Sequence, residues 1–173
     1  MKFDLEEIAA YYDSAPSKYD YYELLEFGIS LRNADFIVSI GLPQSLDDFV
    51  FYELENMQKE IIKGVKLIRI GHHATYGFLN QQPLYLLEGE DEMFFASCNH
   101  PLSIYQLNKD LKTFFLFHLM RYELYSAMKK AEKYNTHTYA YELRQLFIQY
   151  DANTMEDTEG YWSHLIEDYE TGL

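Results

Sequence analysis

Cysteine occurs once in the 173 residues, at Cys98, so no internal disulfide can form. Paired CxxC and HExxH spacings are also missing, and with them the commonest protein-held zinc sites. No apolar run approaches the ~20 residues of a membrane span, and the stretch Phe114 to Met120 is far too short. The N-terminus, MKFDLEEIAAYYD, has no apolar region of signal-peptide type, which leads to the cytoplasm as the expected compartment.

Positive charge is scarce as well. Fourteen Lys and Arg face 28 Asp and Glu, a net charge of -14 with a pI of about 4.7. Such a chain repels phosphate backbones and anionic headgroups, so neither nucleic acid nor a membrane surface is expected as a partner. A basic protein partner is favoured by the same charge, although an acidic surface also serves solubility alone. From Asp151 onward there is no Lys or Arg, and the C-terminal face is expected to be strongly acidic.

Apolar material is abundant: hydrophobic residues make up 48%, with 17 Tyr and 12 Phe. That supplies enough surface to offset the entropy of ordering one domain spanning 1–173. No internal repeat or low-complexity tract interrupts it.

The order of elements follows from local signals. Asp4 with Glu7 predicts a capped first helix over DLEEIAAYY. SAPSKYDYYELLEFG predicts a second, starting at Ser17 or Asp20 and closing on Gly28. After the Gly41 and Pro43 turn, FVFYEL, VKLIRIG, TYGFLN, PLYLLEG, EMFFASC and LSIYQL read as short strands. Their close spacing leaves no room for crossover helices, so they should pair antiparallel.

A long helix over LKTFFLFHLMRYELYSAMKKAEKY is expected next, with Asn108 as its N-cap. Two more follow, THTYAYELRQLFIQYD and EDTEGYWSHLIEDYE, joined by DANTM. The plan is α+β: short N-terminal helices, a central antiparallel meander of five or six strands, and C-terminal helices packed on it.

Candidate chemistry centres on LIRIGHHATYGFLN. His72 and His73, with His100, could be read as the ligands of a metal-dependent hydrolase. Adjacent side chains of a strand point to opposite faces, however, which keeps the pair from sharing one ion. Cys98 lies two residues before His100, but alternation places Phe94, Ala96 and Cys98 on one face, where the thiol acts as a small core residue. His118 falls on the stripe Leu111, Phe114 or Phe115, His118, Tyr122 and Tyr125, as a core or boundary histidine bonded to a neighbour. RIGHHATYG lacks the lysine of a phosphate loop, and the acidic turn LEGEDEM lacks EF-hand spacing.

Three pieces in this order resemble the SUKH superfamily of bacterial immunity proteins, related to cell-wall assembly regulators, and its fourth subfamily most. SIGLPQSLDDFVFYEL carries Gly41, Leu42 and Pro43 at the turn into the first strand. Ile70, Gly71, Gly77, Gly89, Asn108, Leu111 and Phe114 or Phe115 stand at the places of its strand end, turns and helix entry. GYWSHLIEDYETGL looks like its terminal Trp helix, through Trp162, Gly172 and Leu173. In that likeness Gly71 marks a strand end, and the histidine pair is an insert outside the pattern.

The resemblance implies a non-enzymatic binding protein, without a cofactor, that neutralises a cognate toxin such as a nuclease or deaminase, using the sheet face and its loops. The expected contacts are Asp47 and Asp48 after the first turn, and Glu88, Glu90, Asp91 and Glu92 in the acidic turn. A scaffold that binds a cellular protein is the other non-enzymatic reading.

Overall fold

The structure, a computed structural model, describes residues 2–74, 81–96 and 103–172. The expected strand TYGFLN, and Gly77, Cys98, His100 and Leu173, lie outside them.

The N-terminal region follows its caps. Asp4 accepts from Glu6 N at 3.2 Å and opens Leu5–Tyr11, which is a 3-10 helix closed by Glu7 N on the Asp4 carbonyl. Helix α1 (Tyr21–Phe27) starts at Asp20, whose carboxylate accepts from Tyr22 N and Glu23 N, and ends at Gly28 with φ 100°. Helix α2 (Leu31–Ser39) is an addition to the expected order. Ser30 caps it, and Asn33, Ala34, Phe36 and Ile37 form its buried stripe at helical spacing.

The sheet is antiparallel throughout: β1 (Ser45–Leu46), β2 (Phe49–Phe51), β3 (Gln58–Ile62), β4 (Val65–His73), β5 (Gln82–Leu87), β6 (Met93–Ala96) and β7 (Ile104–Asn108). The order β1-β2-β4-β5-β6-β7 leaves β3 beside β4 as well, so β4 serves two partners along one edge. Its first half pairs β3 from Val65 to Arg69, and its last three residues pair β2. β1 and β3 were not foreseen, because SL is too short to show alternation and QKEII is mostly polar.

Between Arg69 and Gly71 the β4–β5 register shifts by a bulge. Ile68 and Ile70 enter the main core, while the shifted register pairs His72 with Pro83 and His73 with Gln82. Gly71 is therefore inside a strand rather than at its end, a correction to the sequence reading.

Helices α3 (Leu111–Lys130), α4 (Thr136–Tyr150), α5 (Ala152–Glu156) and α6 (Tyr161–Thr171) complete the chain. DANTM, expected as a link, contains α5. Trp162 is 1% exposed among Phe114, Phe117 and Phe147, with Phe117 and Phe147 stacked at 3.9 Å.

The N-cap of α3 is Asp110, accepting from Thr113 N at 2.6 Å, and not Asn108. Asn108 instead ends β7, fully buried, where its Oδ1 accepts from Trp162 Nε1 at 3.0 Å. An indole N–H buried in an aromatic core needs such an acceptor, and this need outweighs the local capping preference of Asn.

Candidate interaction surface

The six acidic residues singled out above do not form one patch. Asp47 and Asp48 lie at the β1–β2 turn, next to the pair Phe49 and His73, and Glu88 to Glu92 lie where β5 turns into β6. These are opposite ends of the sheet, separated by the six residues of β5, roughly 17 Å at about 3.3 Å per residue.

Asp47, on an exposed turn, reaches buried partners. Its Oδ2 accepts from Arg121 Nη1 at 2.7 Å and lies 2.9 Å from Nδ1 of the fully buried His118. Arg121 Nη2 also donates to Tyr169 OH at 3.2 Å. Burial pushes the Asp47 carboxyl up, but the His118 hydrogen bond and the Arg121 charge outweigh it and hold the group well below the usual range. With Asp47 ionised, Nδ1 of His118 is the donor.

Burial lowers the His118 pKa from 6.5 to about 4, aided by Arg121 and opposed by Asp47, so the imidazole is neutral at pH 7. The unfolded chain takes up a proton near pH 6.5 and the folded chain only near 4. Acidification across that window therefore favours unfolding, by up to about 3 kcal/mol at about 1.36 kcal/mol per pKa unit. Urea midpoints are expected to fall between about pH 7 and 4, and less so in His118→Asn, which keeps a donor near the Nδ1 position. Equal slopes for the two proteins would refute this assignment.

The acidic turn is likewise tied to its neighbours. Glu88 pairs with Lys59 at 2.6 Å, and Asp91 accepts from Ser30 Oγ at 2.6 Å and lies 3.6 Å from Arg32. Asn33 donates to the Asp91 carbonyl at 3.0 Å and accepts from Leu111 N at 3.0 Å. Asp48 and Glu90 are exposed, and Glu92 is half-buried. Sequence order could not reveal these pairings, because they join residues tens of positions apart.

His72 and His73 point to opposite faces. His72 is buried on the outer side, with its Nδ1 hydrogen-bonded to Tyr52 OH at 2.8 Å. His73 packs edge-on against Phe49 at 4.8 Å and Tyr161 at 5.5 Å. Burial lowers both pKa values. The pair offers no shared coordination position, and among the described residues no group of three His, Cys, Asp or Glu is placed to hold a metal.

The described helices pack on one face of the sheet, where Ile68, Ile70, Leu84, Leu86, Phe95 and Leu107 join the main core. On the other face lies a second cluster made of strand residues and their flanks: Leu67, Tyr85 and Ala96, with Ile62, Val65, Leu87, Phe94 and Ile104 partly exposed. Leu67, Tyr85 and Ala96 are themselves buried, so what this face offers to contact is its half-buried apolar margin, where a solvated sheet face normally alternates to polar residues. Tyr85 OH donates to Glu60 at 2.8 Å and Arg69 lies over the Tyr52 ring, which sets polar groups along the rim. The resemblance named a sheet face as the contact surface but not these residues, because they alternate with core residues on the same strands.

Among protein families, curated proteins and solved structures, none matches this chain. No helix of the described residues is long and apolar enough to cross a membrane.

Proposed function

We propose that the protein is a non-enzymatic immunity protein of the SUKH type that acts in the cytoplasm by binding and neutralising a cognate toxin. The observation that carries the reading is the sheet face on which no described helix packs, with its partly exposed Val65, Leu87, Phe94 and Ile104. The net charge of -14 supports a basic partner, a nuclease or a deaminase, through faster, salt-sensitive association. Asp48 and Glu90, exposed at the two ends of the sheet, then tune the rate of encounter, while the half-buried apolar residues between them set the lifetime of the complex.

Co-expression with the product of the adjacent gene tests the reading: the protein is expected to restore growth. Val65→Arg with Gln106→Arg on the margin of this face is expected to abolish protection and weaken binding at least tenfold, or ~1.4 kcal/mol. Asp48→Lys with Glu90→Lys is expected to slow association and flatten its salt dependence, with little change in dissociation. Growth that stays inhibited despite folded protein would reject the immunity role and leave a scaffold for a cellular protein.

A further inference from the structure

β3 pairs β4 up to Arg69 and β2 pairs it from Gly71, with Tyr52 N donating to the Ile70 carbonyl between them at 2.9 Å, and a cleft of about 410 Å³ is lined by residues of this junction. Gln44, Asn56 and Gln58 line it with side-chain amides, and Tyr52 and Arg69 complete its wall. Arg69 is placed by register, with Gln58 on one side of it and Tyr85 on the other.

The four arginines of the chain differ in one respect. Arg32, Arg121 and Arg144 each pair with a carboxylate, whereas among the described residues Arg69 forms no ion pair. Its Nε is buried and has no hydrogen-bond partner, and its guanidinium lies 5.8 Å from the centre of the Tyr52 ring. The nearby carboxylates are engaged by hydroxyls: Glu53, which also lines the cleft, accepts from Ser17, and Glu60 accepts from Tyr85. A buried donor on a charged fork is costly to leave unmade, and a planar oxyanion matches that fork in two parallel bonds.

We infer that this cleft is a carboxylate-binding site, with Arg69 as the anchor, Tyr52 as a stacking wall and the amides of Gln44, Asn56 and Gln58 as further donors. The inference rests on the docking-face reading and names what the partner brings to it. Long-range repulsion by a net charge of -14 makes capture of free anions weak, so the physiological carboxylate is delivered by a protein that is basic as a whole. It comes from a chain terminus or from an acidic side chain, and both present the same group.

The test follows the Arg69 Nε–H and the Asn56 and Gln58 side-chain amides by NMR in the full-length protein. N-acetyl-glycylglycine represents a chain terminus, N-acetyl-aspartate amide an acidic side chain, and N-acetyl-glycylglycine amide is the neutral control. Saturating shifts with either carboxylate, absent with the neutral amide and weakened at least tenfold in Arg69→Gln, are the expected result, and the stronger probe identifies the source. Arg69→Lys, which keeps charge but loses the fork, is expected to fall between.

Equal shifts from the neutral amide, persistence in a folded Arg69→Gln, or a response to inorganic phosphate alone would overturn the site. The probes need no toxin, so a failed titration beside intact loss of protection in Val65→Arg with Gln106→Arg removes the cleft and leaves the docking face standing.

Discussion

Replacing Gly71 with alanine is expected to destabilise the protein by about 3 kcal/mol or more, the upper range for forcing atoms into a packed site. A Cβ there would stand 2.1 Å from the Val50 carbonyl oxygen and 3.2 Å from the Phe51 Cα. Both belong to the backbone of β2, which is held on β4 through the pairs of Val50 with His72 and Phe51 with Gly71. No rotamer change can make room, so β2 must lift away and carry Phe49 and Phe51 out of the core. Gly64 is the control: its φ is 83°, yet nothing lies within 4 Å of its added Cβ. Alanine at Gly64 is expected to cost only the left-handed backbone penalty, about 1 kcal/mol. Unfolding of the two variants in urea checks the contrast, and similar midpoints would show that β2 is not held where it is described.

The second large effect is expected at Asp47→Asn. Asparagine tolerates the positive φ of 50° at this turn, so the change removes charge while keeping the backbone. Arg121, with only 14% of its side chain exposed, is then left without its anion. Breaking a buried pair from one side costs about 3 to 5 kcal/mol, and the lower end applies because the Asp47 side chain is 30% exposed. Adding Arg121→Met removes the stranded cation and is expected to recover at least half of the loss. A double variant no more stable than Asp47→Asn would show that the charge was not the cause.

The parts of the fold that could be read in advance are those with local causes. Asp20 and Gly28 mark α1 because a carboxylate and a left-handed residue act within one helical turn. β2 and β4 to β7 announce themselves by composition, and His118 by its place on a helical stripe. α2 left only its cap and stripe as signals, and β3 is polar enough to pass for a loop. The bulge at Ile70 left no signal, yet it decides that His73 rather than His72 joins the Phe49 and Tyr161 rings.

The acidic residues illustrate the same limit from the side of function. Spacing identified Asp47, Glu88 and Asp91 as charged turn residues, and the tertiary structure assigns them Arg121, Lys59 and Ser30 as partners. Their sequence neighbours Asp48 and Glu90 are exposed and take part in none of these pairings. A charge run therefore divides between internal ties and solvent, according to distant groups that no local pattern encodes.

Asn33 also sets the order in which the chain can be completed. Its two hydrogen bonds reach 58 residues onward to Asp91 and 78 onward to Leu111. At about 5 to 20 residues per second, the second partner is synthesised roughly 4 to 16 s after Asn33 itself. Through that interval α2 can have its Ser30 cap but not its seat, and Phe36 and Ile37 wait without their core. The first helices to be made are thus among the last to be locked, and a nascent chain halted before Leu111 keeps a sticky, unfinished N-terminal region.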